Sequence, residues 1–301
     1  MAEGETLLVS GASGFLGAHL VATASAAGWD VVGLRHRSDM PVPWPARTRM
    51  VAADLCDGDA LERAIESAQP SAVIHAAAMS RMADCERDPA AARRVNVDGS
   101  RILAGLCAAR GARFVHVSTD LVFGANAAPQ GGFSEDDRPG PISVYGASKW
   151  DSELAVARAD PRALIVRLPL LLGPSHGRGL GASDSVGAAV ERGETPALFE
   201  DEWRTPLDVR SAARALLELV QSEACGPLHV AGPERMSRYE LGLRALRQRG
   251  LRADQARKCI ARSTRQGSGL EHLRPADVAL NSARARSFLT TILVGLEDGS
   301  T

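Results

Sequence analysis

A tyrosine and a lysine stand four residues apart in a chain that uses both residue types sparingly. The 301 residues include two tyrosines and two lysines, and Tyr145 and Lys149 are one of each. Four residues make about one helical turn, so a helix here would place the phenol and the ammonium side by side. A neighbouring ammonium favours the phenolate and lowers the pKa of Tyr145 toward the working range of a general acid or base. The alternative is an ordinary helix turn at the protein surface.

Three glycines near the start of the chain are spaced to bind phosphate. Gly11, Gly14 and Gly17 follow an apolar run, 6–10, and precede a helical pattern that reaches about residue 27. Glycine permits a tight turn and lets phosphate oxygens approach backbone N–H groups, where the helix dipole favours negative charge. This strand, turn and helix context predicts a dinucleotide site, although the GxxGxxG spacing also suits simple helix packing.

Arginines at the end of the second predicted strand favour one form of the dinucleotide. An acidic residue there would bind the ribose 2′-hydroxyl and indicate NAD. This chain has Arg35 and Arg37 instead, whose guanidinium groups can bind a 2′-phosphate through charge-assisted hydrogen bonds. We therefore expect NADP, with the alternative that both arginines belong to a generally arginine-rich surface.

Short apolar runs alternate with helical patterns through most of the chain. The predicted strands span 6–10, 30–34, 49–53, 72–76, 113–118, 163–168 and 228–231, and the predicted helices include 59–68, 90–110, 143–159 and 209–220. This alternation predicts a doubly wound α/β fold, a parallel Rossmann sheet with helices on both faces. We expect residues 1–169 and 206–231 to form the dinucleotide-binding Rossmann domain. Residues 170–205 and 232–301 would form a smaller, mainly helical substrate-binding lobe.

The composition indicates an ordinary globular protein. Hydrophobic residues make up 45% and the formal net charge is -1, so nothing favours a nucleic-acid or acidic-membrane partner. The most apolar stretch, 164–173, is interrupted by Arg167 and is too short to span a bilayer. Five scattered cysteines suit reduced thiols, and we expect a soluble, cytoplasmic protein without a metal site. His75, His116 and His229 each end or interrupt an apolar strand, which is more typical of core histidines than of ligands.

Taken together, these motifs resemble the extended short-chain dehydrogenase/reductases, and within them the dTDP-4-dehydrorhamnose reductase group. The resemblance rests on the glycine turn, the Tyr-x-x-x-Lys pair and further motifs along most of the chain. Those motifs are Asp54-Leu55, His75-Ala-Ala-Ala78, Asp84-x-Glu86-x-Asp88-Pro89, Asn96, Ser118-Thr-Asp-Leu-Val-Phe123, Val144-Tyr-Gly-Ala-Ser-Lys149 and Arg274-Pro275. The cofactor half matches most specifically, and the carboxyl-terminal half matches more weakly.

The resemblance implies a role for each residue of the expected site. Thr119 would hydrogen-bond a substrate carbonyl, and Tyr145 would donate the proton to it. Lys149 would bind the nicotinamide ribose and hold the phenol pKa down, while Asn96 would support a proton-relay water. The residues expected to contact the cofactor are Gly11, Ser13, Gly14, Phe15, Leu16, Gly17, Arg35, Arg37, Asp54, Leu55, Ala76, Ala77, Ala78 and Lys149.

The function implied by the resemblance is NADPH-dependent reduction of the 4-keto group of a nucleotide-linked deoxysugar. Leu121 stands where a dehydratase of this superfamily would carry glutamate, which argues against dehydration. Two alternatives remain: a non-catalytic NADP-binding partner that resembles the regulatory β subunit of methionine adenosyltransferase, and an epimerase that retains NAD. Arg178, Arg204 and Arg210 are each candidates to clamp a substrate diphosphate, and the resemblance suggests a homodimer.

Overall fold

The apolar runs of the sequence form a parallel sheet in the computed structural model, which describes residues 4–36 and 44–296. The strands are β1 (Thr6–Ser10), β2 (Asp30–Arg35), β3 (Thr48–Ala52), β4 (Ala72–His75), β5 (Arg113–Thr119), β6 (Leu164–Leu168), β7 (Leu171–Leu172), β8 (Ala197–Phe199), β9 (Trp203–Arg204), β10 (Leu207–Asp208), β11 (Gly226–His229), β12 (Met236–Ser237) and β13 (Ala261–Ser263). The α-helices are α1 (Phe15–Ala26), α2 (Gly58–Ala68), α3 (Met82–Arg87), α4 (Pro89–Arg93), α5 (Gly99–Arg110), α6 (Val144–Ala159), α7 (Ala182–Glu191), α8 (Val209–Val220), α9 (Arg238–Gln248) and α10 (Ala253–Cys259).

The central sheet has seven strands in the order β11-β6-β5-β4-β1-β2-β3, and every neighbouring pair is parallel. The chain builds outward from β1 to β3 and then returns to the other side of β1 with β4. The order of the strands therefore reverses between β1 and β4. In open parallel sheets, ligands bind in the crevice that this reversal opens at the carboxyl ends of the strands.

Both faces of the sheet are buried, as the predicted fold class requires. Along β1, Leu7 and Val9 join the core under α1 and α8, whereas Leu8 joins the core under α2, α5 and α6. Successive strand residues point to opposite faces, so a strand covered on both sides reads as a continuous apolar run. The predicted doubly wound Rossmann fold is confirmed.

The carboxyl-terminal half contributes to the Rossmann sheet and also builds separate apolar clusters. After β10 the chain returns to the sheet, where α8 packs against α1 and β11 pairs with β6. One outlying cluster centres on Leu172, Met236 and Leu241, and another includes Leu198 and Ile260. These separate clusters support the predicted division into a Rossmann domain and a smaller lobe, which stays a prediction. Short strand pairs, β12 with β9 and β13 with β8, occur where the sequence showed few strand signals.

The predicted helix over 90–110 is interrupted in the structure. Helix α4 ends at Arg93, the backbone makes a π-helical turn over Arg94–Asp98, and α5 begins at Gly99. The prediction of one continuous helix is therefore wrong at this turn. The last sheet strand also lies two residues earlier than predicted, at Gly226–His229. Across 4–36 and 44–296, no helix combines the length and apolar character needed to cross a membrane.

Candidate active site

A cleft of about 740 Å³ opens at the carboxyl ends of β1, β2 and β4, where the strand order reverses. The predicted cofactor residues that line it are Gly11, Ser13, Gly14, Phe15, Leu16, Gly17, Arg35, Asp54, Leu55, Ala76, Ala77 and Ala78. Arg37 lies outside the described residues. Lys149 is not among the residues that line the cleft. The structure thus brings most of the predicted cofactor residues together in one cleft and places Lys149 outside its lining.

The glycine turn has the geometry of an anion site. Gly11 adopts a left-handed backbone, with φ of 69°, and a Cβ atom there would lie 2.8 Å from Ala77 Cα. A Cβ atom on Gly17 would lie 2.0 Å from the Gly11 carbonyl oxygen, so the turn and α1 can meet this closely because both residues are glycine. Helix α1 has no side-chain cap and no acidic residue in its first turn. Its amino terminus therefore offers backbone N–H groups and a positive dipole end to a phosphate.

The end of β2 holds a residue that the sequence reasoning missed. Arg35 and His36 both line the cleft there, together with Asp54. His36 Nε2 lies 3.3 Å from Asp54 Oδ2, while the other carboxylate oxygen of Asp54 accepts a hydrogen bond from the Cys56 backbone N–H at 2.9 Å. The sequence signal for His36 was its place directly after Arg35, a residue predicted to contact the 2′-phosphate.

Buried hydroxyl and imidazole groups support the floor of the cleft. The Ser10 hydroxyl lies 2.6 Å from His75 Nδ1 and accepts a hydrogen bond from the Ala77 backbone N–H at 3.2 Å. His75 Nε2 lies 2.9 Å from the Ser100 hydroxyl. Burial, followed by the charge of Lys149, lowers the pKa of His75 to about 3. His75 is therefore a neutral core histidine that fixes the two strand ends, in agreement with the structural role expected for it.

Thr119 and Tyr145 meet at the carboxyl end of β5. The Thr119 hydroxyl donates to Asp120 Oδ1 at 3.1 Å and accepts from the Leu121 backbone N–H at 3.2 Å. The Thr119 side chain acts on the Tyr145 hydroxyl in the direction that lowers its pKa. Burial, and then the Asp120 carboxylate, raise the pKa of Tyr145 above its ordinary value. The predicted lowering of this pKa is wrong in this structure, because desolvation disfavours the phenolate.

Lys149 lies beneath the floor of the cleft. Its side chain is buried, and Nζ lies 3.1 Å from His116 Nε2, which in turn lies 2.9 Å from the Ser152 hydroxyl. Burial lowers the pKa of Lys149 to about 8, although the nearby Glu153 carboxylate opposes the change. The predicted contact of Lys149 with a cofactor ribose stays a prediction.

Asn96 sits in the π-helical turn and reaches across to the cleft. Its Oδ1 accepts from the Met79 backbone N–H at 2.8 Å, and its Nδ2 donates to the Met79 carbonyl at 3.1 Å and to the Ser148 hydroxyl at 2.9 Å. Met79 lines the cleft, and Ser148 neighbours Lys149 on α6. Asn96 thus ties the cleft wall to the helix that carries Tyr145 and Lys149. The predicted support of a relay water stays a prediction.

A buried charge network lies on the other side of Thr119. Asp120 Oδ2 lies 3.6 Å from Arg204 Nε, and Glu202 binds both Arg204, at 3.1 Å, and Arg274, at 2.9 Å. Burial raises the pKa of Asp120 to about 6, although Arg204 opposes the rise. Sequence reasoning missed this network, because its members come from separate parts of the chain and no spacing connects them.

The three arginines considered as diphosphate clamps lie in different places. Arg210 is exposed on α8, and Arg204 is buried in the network with Asp120. Arg178 donates to the backbone carbonyl of Ser13, within the glycine turn. Among the residues of 4–36 and 44–296, no group of three or more His, Cys, Asp or Glu side chains is arranged to hold a metal ion.

Comparison with known proteins assigns this arrangement to a family. The RmlD substrate binding domain family matches residues 5–294. The probable low-salt glycan biosynthesis reductase Agl14 of Haloferax volcanii is 32% identical over 236 residues, covering 78% of this chain and 77% of that protein. Methionine adenosyltransferase 2 subunit beta of Pongo abelii is 31% identical over 242 residues, covering 78% of this chain and 69% of that protein.

The solved structures agree with the sequence comparison. The crystal structure of a hypothetical dTDP-4-dehydrorhamnose reductase from Sulfolobus tokodaii is 29% identical, with a TM-score of 0.80, and the match covers 98% of this chain and 99% of that one. The match extends over both the Rossmann sheet and the smaller carboxyl-terminal clusters. The chain belongs to the RmlD substrate binding domain family, within the extended short-chain dehydrogenase/reductase group.

Proposed function

We propose that this protein reduces the 4-keto group of a nucleotide-linked deoxysugar, with NADPH as the hydride donor and Tyr145 as the proton donor. The observation that carries the proposal is the juxtaposition of Tyr145 and Thr119 at the carboxyl end of β5, on the same edge of the sheet as the cleft built around the glycine turn. The relatives named above include a glycan biosynthesis reductase and a hypothetical dTDP-4-dehydrorhamnose reductase, which supports this substrate class.

The site chemistry fits reduction of a carbonyl. A bound nicotinamide supplies a hydride to the carbonyl carbon, and the oxygen then needs a proton. Tyr145 is protonated at neutral pH and is able to give its proton to the developing alkoxide, and the raised pKa makes it a weaker acid than an ordinary phenol. Thr119 would hold the same oxygen, which requires its hydroxyl to turn from Asp120 toward the substrate. Asn96 and Lys149 would position α6 and the nicotinamide ribose.

Residues at the end of β2 support NADP over NAD. Arg35 and His36 line the cleft where an acidic residue would bind the 2′-hydroxyl of NAD. Their side chains can bind a 2′-phosphate, and His36 Nε2 also lies 3.3 Å from the Asp54 carboxylate. An epimerase that retains NAD is disfavoured for the same reason. The Arg35→Gln variant should lose affinity for NADPH and keep its affinity for NADH, as measured by calorimetry.

The two tyrosines of the chain provide a matched test of the catalytic assignment. Tyr145→Phe should still bind NADPH, while kcat/KM for a dTDP-4-keto sugar falls by about 10²–10⁴-fold, because the proton donor is lost. Tyr239 lies in the smaller lobe, where the Arg262 guanidinium is 4.8 Å from its ring centre. The control variant Tyr239→Phe should retain activity. Turnover by Tyr145→Phe within a fewfold of the wild type would remove the phenol from its proposed role.

A second function is supported by the similarity to methionine adenosyltransferase 2 subunit beta. On that alternative, the chain binds the dinucleotide and acts as a non-catalytic partner of another protein. The two functions are separated by offering the purified chain NADPH and a panel of dTDP-4-keto sugars. Oxidation of NADPH by the chain alone supports the reductase. No turnover, together with a stable hetero-complex isolated from native lysate, supports the binding subunit.

A further inference from the structure

An arginine from the loop between β7 and α7 contacts the glycine turn. Arg178 Nη1 donates to the Ser13 carbonyl at 2.6 Å, and Nη2 donates to the Gly14 carbonyl at 3.4 Å. Arg178 is separated from these partners by more than 160 residues of sequence. Its Nε donates to the Ser175 carbonyl at 3.1 Å, which orients the guanidinium from its own loop. The loop thus delivers a cation to the turn predicted to bind phosphate.

The loop that carries Arg178 packs against the first turns of α1. His19 Nε2 lies 2.9 Å from the Pro174 carbonyl, and the His19 ring stacks on His176 with ring centres 5.6 Å apart. Gly181 lies so close to Phe15 that a Cβ atom on it would be 2.5 Å from the phenyl ring. Within the loop, the Ser175 hydroxyl accepts from the Leu180 backbone N–H at 2.9 Å. These contacts give Arg178 a defined position.

The charge of Arg178 is unexpected at this place. The amino terminus of α1 carries the positive end of the helix dipole, and no acidic residue stands in its first turn. A guanidinium beside it adds a second positive group, and its three acceptors are backbone carbonyls rather than carboxylates. The Arg178 guanidinium and the amino terminus of α1 lie side by side, so one anion is able to bind both.

We infer that Arg178 binds the diphosphate of the dinucleotide cofactor, and this inference rests on the proposed function. A guanidinium has five N–H donors, and the contacts to Ser13, Gly14 and Ser175 use three of them. Two donors remain for phosphate oxygens, on a side chain that is partly exposed and contacts Ser13 and Gly14, which line the cleft. The diphosphate would lie between this guanidinium and the backbone N–H groups of the turn. The loop between β7 and α7, which belongs to the predicted substrate-binding lobe, would thereby contribute to cofactor binding.

Binding measurements with three ligands separate this role from a general structural one. NADPH and NADH both contain the diphosphate, whereas adenosine 2′-monophosphate lacks it. Arg178→Gln should weaken the binding of NADPH and of NADH by the same factor, about 10-fold or more, because both lose a charge-assisted contact. Binding of adenosine 2′-monophosphate should not change. The matched control, Arg35→Gln, should show the other pattern. It should bind NADPH and adenosine 2′-monophosphate more weakly than the wild type and bind NADH with unchanged affinity.

Each other outcome has a distinct meaning. Unchanged dinucleotide affinity in Arg178→Gln overturns the inference, and so does an equal loss for adenosine 2′-monophosphate, which would indicate a distorted turn. Arg178→Lys keeps the charge and should show a smaller loss than Arg178→Gln, so it provides the test if the glutamine variant does not fold. A wild-type protein that binds neither NADPH nor NADH overturns the proposed function together with the inference.

Discussion

Lys149 Nζ and His116 Nε2 lie 3.1 Å apart in the interior, beneath the floor of the cofactor cleft. An ammonium at this depth needs an acceptor, because burial otherwise favours the neutral amine. Burial and the charge of Lys149 hold the pKa of His116 well below its ordinary value, so the ring is neutral, and with its proton on Nδ1 the Nε2 atom accepts from the ammonium. His116 is therefore a positioning residue for the lysine, acting from a strand 33 residues away.

Replacing His116 should change the proton affinity of Lys149. In His116→Phe the ammonium loses its acceptor, and the pKa of Lys149 should fall below its value of about 8 by about 1–2 units. In His116→Gln the amide oxygen can accept, so the change should be smaller. The measurement is an NMR titration of protein labelled at lysine, which is readable because the chain has two lysines. Lys258, exposed on α10, supplies the reference signal.

Activity adds a second readout to the same variants. A ring that acts through the lysine should shift the basic limb of the pH profile of kcat/KM together with the lysine titration. A lysine titration curve in His116→Phe that overlays the wild-type curve would contradict the positioning role, even if activity were lower. His116→Gln gives the same comparison if the larger phenylalanine ring prevents folding.

Asp120 should make the stability of the protein depend on pH. Its pKa is raised from 3.8 to about 6, mainly by burial. A group whose pKa is raised on folding adds stability below its unfolded pKa, and that stability is lost as pH rises through the folded pKa. Asp120→Asn removes this loss. Between pH 4 and pH 7 the variant should therefore gain about 2–2.5 kcal/mol in unfolding free energy relative to the wild type.

Urea unfolding at pH 4, 5.5 and 7 measures this difference, and a second acid provides an opposite control. Asp137 accepts from the backbone N–H and the hydroxyl of Ser134, and these hydrogen bonds lower its pKa. Asp137→Asn should therefore lose stability relative to the wild type as pH rises from 3 to 5. If the curves of Asp120→Asn and the wild type run parallel from pH 4 to pH 7, Asp120 does not titrate as the structure indicates.

The parts of this protein that could be predicted from sequence are those set by local pattern. The runs that became β1, β2 and β4 each bury both faces, so they appear as apolar segments, and the glycines between β1 and α1 mark the turn directly. The strand reversal at β1 then brings the predicted cofactor residues to one crevice. Local signals were sufficient because neighbouring parallel strands end at the same edge of the sheet.

The parts that escaped prediction are set by contacts between distant segments. The π-helical turn holds Asn96, whose side chain binds Met79 and Ser148, and no periodicity along 90–110 reveals these contacts. Lys149 was expected to act on Tyr145, its neighbour on the helix, yet its partner is His116 on β5. The arginine that contacts the glycine turn, Arg178, is one of many in the sequence and is identified by its position alone.

The buried ion pair of Glu153 and Arg167 gives a last prediction, about stability. Arg167 Nη2 donates to Glu153 Oε2 at 2.7 Å and its Nε to Oε1 at 3.0 Å, while both side chains are 2% exposed. Arg167→Met should cost about 3–5 kcal/mol in urea unfolding, because it leaves the Glu153 carboxylate buried without its countercharge. The double variant Glu153→Met with Arg167→Met removes both charges and should cost less than Arg167→Met alone. If the cost of the double variant equals the sum of the costs of Glu153→Met and Arg167→Met, the two charges are not coupled.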